Sequence, residues 1–274
     1  MTDKLNTSII LNTYNRAERL KLCLPAYCLQ TRSDFELIVA DDASDDNTEE
    51  VVHDFSASAP FPVLYVRQEL PGHHRTAVLN RAILAGRSEF LIFTDADCLP
   101  KHDLVEVHCA HRSEKRLLIG GRIRLDQEET EQIIPKMVTS RQYEGFLNTR
   151  RRRELRRTHW RNLFYITVKK RRRPHNYALN MGVEKWALLA VNGFDENCEG
   201  WGNADGELRE RLKRIDVWPK CICNQAVVFH LWHPPHPSRS ERRNLEYVRR
   251  KTIPIWCKKG IFKLPDATNG RPAK

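Results

Sequence analysis

The chain has 274 residues, 41% apolar and 30% charged, which suits one large or two small globular domains with a real core. Its longest apolar run, Trp186 to Val191, is too short to cross a bilayer, and Met1 to Asn6 has no apolar stretch behind a basic one, so neither a spanning helix nor a secretory leader is expected. The net charge is +11, yet twelve of the 46 Lys and Arg, and only Glu154 of the 35 acids, lie between Arg150 and Arg173; the rest is formally neutral, which favours a local anionic partner over a whole surface coated by nucleic acid.

The first hundred residues alternate short apolar runs with helical stretches. Ser8 to Leu11 reads as a strand ending in polar Asn12 to Asn15, and Arg16 to Leu29 reads as a helix through Leu20, Leu24 and Leu29. Phe35 to Ala40 is a second buried strand, ending in the acidic run Asp41 to Asp46. Glu49 to Phe55 is helical, Val63 to Val66 a third strand, and Thr76 to Ala85 a helix. Phe90 to Thr94 is a fourth strand, closing on Asp95-Ala96-Asp97. This alternation predicts βαβ units and a mainly parallel sheet, hence an α/β fold. Ligands of such sheets bind beyond the carboxyl ends of the strands, and three of these strands end there in polar or acidic clusters. No Gly-x-Gly-x-x-Gly turn follows the first strand, and there is no phosphate-cradling P-loop. A nucleotide would therefore be held by side chains and a metal.

Asp95 and Asp97 flank Ala96 directly after the buried run Phe90 to Phe93. Two carboxylates at i and i+2 can share one ligand where the backbone turns. Hard cations such as Mg2+ and Mn2+ favour oxygen ligands and leave positions open for phosphate. A lone Asp-x-Asp is more often a polar turn; behind an apolar strand, as the third polar strand end, it reads as a metal site.

In order and spacing, the runs Ser8 to Arg16, Phe35 to Asp46 and Thr94 to Asp97 resemble the inverting GT-A glycosyltransferases of family 2. The resemblance implies a Rossmann-like central mixed sheet flanked by helices. It implies Thr13, Tyr14 and Asp42 around a nucleotide base, Asp95 near the ribose and Asp97 on the metal. Gly72 to Ile83 resembles the family's third segment, where Arg75 and Asn80 are the candidates and Leu79 stands where an arginine is frequent.

Further on, Gly200-Trp201-Gly202-Asn203-Ala204-Asp205 leads into Glu207 to Arg214, which reads as a helix with Leu208 and Leu212 on one face. Trp201 offers an aromatic platform for an acceptor sugar. Asp205, near a helix start, has its anion favoured by the helix dipole and suits a general base; a helix cap with a core tryptophan fits the spacing equally well. The block is similar to the C-terminal region of β-galactosyltransferases and chondroitin polymerases, which implies that Asp205 is the base. Ala204 stands where that family usually has Glu. Ala226 to Phe229 is a strand ending in His230-Leu231-Trp232-His233-Pro234-Pro235-His236. The resemblance implies His230 as the second metal ligand, with His233 as the alternative and His236 disfavoured; a nitrogen ligand suits Mn2+ somewhat better than Ca2+. Cys98 reads as a packed thiol. The eight cysteines read as reduced thiols, and Cys221-Ile222-Cys223 has the wrong spacing for a zinc knuckle, so no structural zinc is expected there.

Between these halves, Arg150 to Arg173 surrounds Trp160, Phe164 and Tyr165 with arginine and lysine. Interfacial aromatics among basic residues fit an anionic membrane surface or a lipid-linked anionic glycan better than nucleic acid, which is not expected as a partner. The expected organisation is one GT-A domain over residues 1–236, with a nucleotide-sugar half (1–115) and an acceptor half (116–236). A helical tail follows over 237–274, with Arg239 to Arg250 as its helix. The expected activity is transfer, with inversion, of a sugar from a nucleotide-sugar, UDP-linked by expectation, to a glycan or lipid-linked glycan in cell-surface polysaccharide or lipopolysaccharide synthesis. Mn2+ or Mg2+ would assist, at a cytoplasmic site peripheral to the inner membrane face. The rival reading is a non-catalytic relative that binds anionic lipid or nucleic acid through 150–173.

Overall fold

Strands β1 (Thr7–Thr13), β2 (Phe35–Asp41), β3 (Val63–Arg67) and β4 (Phe90–Asp95) form a continuous parallel run in a seven-stranded sheet. The computed structural model describes residues 5–69, 74–175, 177–198, 200, 202–234, 244–250 and 252–263. Every residue of β1 and β2 is buried, as strands covered on both faces require. Alternate side chains serve opposite layers. Ile9 and Leu11 pack with helices α1 (Ala17–Cys23), α2 (Thr48–Ser56) and, further along the chain, Leu104–His111. Ile10 packs with α3 (Arg75–Ala85) and with two later helices, Lys185–Ala190 and Ala204–Arg214. The helix expected over Arg16 to Leu29 is shorter. It gives way to a 3-10 turn over Leu24–Leu29, where Pro25 removes an amide donor.

The strand order is β3-β2-β1-β4, so the chain winds outward from β1 on one side and then crosses to the other. That reversal opens a crevice at the carboxyl ends. Register places Thr13 opposite Asp41 and Asn12 opposite Asp95, so the three polar strand ends form one row.

Beyond β4 the sheet is mixed. After β5 (Cys98–Pro100), α4 (Leu104–His111), β6 (Arg116–Ile119) and β7 (Gly121–Arg124) come α5 (Gln127–Glu131), α6 (Pro135–Thr139) and the long α7 (Thr149–Thr167). Strand β8 (Asn180–Glu184) is antiparallel to both β4 and β6. Helices α8 (Lys185–Ala190) and α9 (Ala204–Arg214) lead to β9 (Trp218–Cys221), the edge strand beside β6. A second sheet, in the order β5-β10-β7, is completed by β10 (Val227–His230). It pairs His230 with Cys98, directly after Asp97. A third apolar cluster under this sheet takes Val227 and Phe229 from β10, Val138 from α6 and Leu155 from α7.

The stretch beyond residue 236, expected to be a helical tail, is helical only in α10 (Asn244–Arg249) among its described residues. Residues 252–263 return to the domain. Asn192 Nδ2 donates to Cys257 O and Phe262 O, and Ile261 packs on the core. Among the described residues, no helix is long and apolar enough to cross a membrane.

Asn180 ties the two sheets together. Its amide nitrogen donates to Gly121 O at 2.8 Å and Ala226 O at 3.1 Å, and its Oδ1 lies 2.8 Å from His108 Nε2. The imidazole presses on Gly182, where a Cβ would lie 2.6 Å from His108 Nδ1 and 2.9 Å from the Phe90 ring. Burial pushes the His108 pKa down to about 4 from an ordinary 6.5, with nearby His111 acting in the same direction. The unfolded chain therefore takes up this proton first as the pH falls. The stability owed to neutral His108 is complete above about pH 6.5 and is lost as pH drops through about 4, by up to about 3 kcal/mol. Urea unfolding between about pH 7 and about pH 4 should show a flatter pH dependence for His108→Gln than for the wild type. Parallel curves would mean that this ring is not held neutral.

Candidate active site at the strand ends

The loops after β1 and β2 are bonded to each other. Asn15 N donates to Ser44 Oγ at 2.8 Å, Asp45 N to Asn15 Oδ1 at 2.9 Å, and Ala17 N, at the start of α1, to Asp46 Oδ2 at 2.9 Å. The acidic run thereby divides its labour. Asp41, fully buried, accepts from Ser44, Tyr65 and Arg67 and holds the β2 end in shape. Asp42, equally buried, accepts from Gln68 Nε2 and His74 N, each at 2.9 Å. Beside it, Asn12 Oδ1 and Thr13 Oγ1 are buried with no hydrogen-bond partner among the described residues. Buried polar atoms are normally paired, so these two suit a polar ligand. Tyr14 is half-buried at the same strand end.

Asp95 and Asp97 occupy the end of β4 and the turn into β5. Asp97 meets two imidazoles: its Oδ1 lies 3.7 Å from His230 Nε2 and its Oδ2 3.3 Å from His233 Nε2. The β10–β5 pairing sets His230 there, and Leu231 N donates to Asp97 O. His233 Nδ1 is 2.7 Å from Pro234 O. A carbonyl only accepts, so Nδ1 carries a proton and the ring turns its Nε2 toward Asp97. Burial, Arg122, Arg124 and His233 hold the His230 pKa below its usual value against the pull of Asp97, which keeps its imidazole neutral and able to ligate. Asp97, Cys98 and His230 offer ligand atoms within 4.8 Å of one another. Burial drives the Cys98 pKa far up, as for a packed thiol. This donor set fits Mn2+ or Mg2+.

Arg75, at the first position of α3, spans two of the predicted groups. Its Nη2 lies 3.5 Å from Asp95 Oδ1 and its Nη1 3.4 Å from Asp205 Oδ1. Asp205 sits in the first turn of α9, which starts at Ala204, three residues earlier than the sequence pattern shows. Ala178 N also donates to Asp205 Oδ2 at 3.2 Å. Burial, with Asp97 and Asp205 nearby, raises the Asp95 pKa to about 6 although Arg75 opposes it.

The structure does not bring Asn80 to these groups. Its amide donates to Phe194 O at 2.9 Å and accepts from Phe194 N at 2.8 Å, which fixes the loop after α8. Trp201 and His236 lie outside the described residues; Gly200 and Gly202, on either side of Trp201, both have left-handed backbone, with φ of 65° and 99°. Sequence reasoning did not single out Gln68, or Arg122, whose guanidinium stacks over Tyr177 at 4.6 Å. The charged, outward residues of a short strand were the available signal for Arg122; for Gln68 there was none.

Residues 8–180 match the family model described as Glycosyl transferase family 2. The chain is 28% identical over 249 residues to a chondroitin synthase of Escherichia coli, covering 86% of this chain and 36% of that one. It is 24% identical over 283 residues to a hyaluronan synthase of Pasteurella multocida, covering 90% of this chain and 28% of that one. It therefore spans about a third of the length of these relatives. A mannosyltransferase from Pyrobaculum calidifontis, in complex with GDP-Man and Mn2+, has a similar fold, with TM-score 0.62, 16% identity, 91% of this chain and 66% of that chain covered. TarS 1-349 of S. aureus in complex with UDP-GlcNAc matches with TM-score 0.57 and 14% identity, over 84% of this chain and 60% of that one.

Proposed function

The chain belongs to glycosyl transferase family 2, and on that premise we propose that it transfers a sugar, with inversion, from a nucleotide-sugar to a glycan hydroxyl. The observation that carries this reading is the bridge of Arg75 between Asp95 and Asp205. It joins the strand end expected to hold a donor to the helix start expected to activate an acceptor. Asn12, Thr13, Tyr14 and Asp42 bind the nucleotide, with Asp95 toward its ribose. Asp97 and His230, with His233 beside them, would hold the divalent cation, Mn2+ or Mg2+, whose charge neutralises the departing diphosphate. Asp205 takes the proton from the acceptor hydroxyl as its oxygen bonds to the anomeric carbon and the bond from that carbon to the diphosphate breaks. The resemblance to β-galactosyltransferases and chondroitin polymerases supports UDP as the carrier. The chondroitin and hyaluronan synthases among the relatives support a polysaccharide or lipid-linked glycan acceptor, with Trp201 as its platform. The non-catalytic rival gives no reason for Asp205 to share a guanidinium with Asp95.

A second reading concerns α7. Trp160 and Phe164 of this helix, and Val168 directly past its end, face outward at 69%, 61% and 51% exposure. The three follow at four-residue spacing, so they share one face. Arg153, Arg156, Arg157 and Arg161 are exposed around them. Arg151 is not part of this face: it is buried, with Glu129 Oε2 at 2.6 Å. An apolar stripe bordered by arginine supports the proposal that α7 rests on anionic lipid at the cytoplasmic membrane face.

Asp205→Asn keeps the shape of the side chain but cannot take a proton. Transfer should fall by on the order of 10² to 10⁴, while Mn2+-dependent nucleotide binding measured by calorimetry stays. Near-normal turnover would remove Asp205 as the base. For α7, sedimentation with anionic but not zwitterionic vesicles is expected, reversed by high salt and lost in a Trp160→Ser, Phe164→Ser double variant. No sedimentation with anionic vesicles at low salt would end the membrane reading.

A further inference from the structure

Where α7 packs on the edge strand β9, three ligand-type side chains meet that the transfer chemistry does not use. His159 of α7, Cys221 at the end of β9 and Cys223 two residues later place a ring nitrogen and two sulfurs within 4.8 Å of one another. We propose that His159, Cys221 and Cys223 form a second metal site, for a soft divalent ion of the Zn2+ class, that clamps the basic helix to the sheet.

The donor set is the first support. Two thiols and an imidazole select ions such as Zn2+ over Mg2+ or Ca2+. The surroundings are the second. His159 Nδ1 is buried with no hydrogen-bond partner among the described residues. Cys221 Sγ lies 3.3 Å from Cys223 Sγ and 3.5 Å from Asn162 Nδ2, so an amide one turn along α7 backs the first sulfur as a group behind a ligand would.

The backbone is also set in advance. Ile222 N donates to Ile119 O, and both Gln225 N and Ala226 N donate to Ile222 O, which closes the turn that carries Cys223. The Cys223 carbonyl presses against Gly121, where a Cβ would lie 1.9 Å from its oxygen, so only glycine lets the turn sit there. The helix itself supplies the need. Of its 19 residues, only Arg151, Leu155 and Asn162 are buried, so little apolar contact holds it down. A metal bond at mid-helix would offset that weak anchoring.

Co2+ is the probe, because thiolate ligation gives it a sulfur-to-cobalt charge-transfer band. The reduced full-length chain should develop this band with one equivalent of Co2+, and Zn2+ should displace it. The band should survive Cys98→Ser, which removes the thiol beside Asp97, and vanish in Cys221→Ser and Cys223→Ser. His159→Gln keeps both thiols. It should weaken Zn2+ binding by on the order of 100-fold or more, since losing even a group behind a ligand costs up to about that much, and cancel the rise in melting temperature that Zn2+ gives the wild type. No cobalt–sulfur band in the wild type, or a band unchanged in Cys221→Ser, would overturn the proposal. The band reads ligation rather than transfer, so its outcome is independent of the proposed reaction.

Discussion

Three carboxylates from distant parts of the chain, Asp95, Asp97 and Asp205, converge beyond the ends of the central strands, and like charges so placed require a cation. Arg75 meets that requirement for two of them. Burial, with Asp97 and Asp205 behind it, still raises the Asp95 pKa against the pull of Arg75. The His230 imidazole, its pKa lowered chiefly by burial, and His233 face Asp97 from the other side. The fold is arranged to keep this repulsion in place. β1 and β4 run in register, β5 turns straight back from Asp97, and α9 begins where its first turn can face α3.

The second sheet matters as much as the first. Asp97 would be a lone strand-end acid without β10, whose pairing with β5 sets His230 next to Cys98. Asn180 then locks that sheet to the large one through the Gly121 and Ala226 carbonyls. Asp97 and His230 are thus brought together by main-chain pairing and one buried amide.

Much of this was legible in the amino acids. The runs Ser8 to Leu11, Phe35 to Ala40 and Phe90 to Thr94 announced buried strands because their apolar residues do not alternate, and their polar ends marked the crevice. What escaped was non-local. β5 and β7 are too short to show a period, and β8 is antiparallel only because of what lies beside it. Asn80 looked like a donor contact because it follows Arg75 on a polar helix start; its partner, Phe194, is far away in sequence. The approach of His159 to Cys221 and Cys223 was equally hidden, because it sits on another element.

The central claim is that these strand ends form one metal-assisted donor site facing Asp205. Crystals grown with UDP and Mn2+, measured at the manganese edge, test it most directly. The account predicts an anomalous peak bound by Asp97 and at least one of His230 and His233, with the uridine beside Asp42 and Thr13. Manganese bound away from Asp97, or a nucleotide seated elsewhere on the sheet, would contradict it.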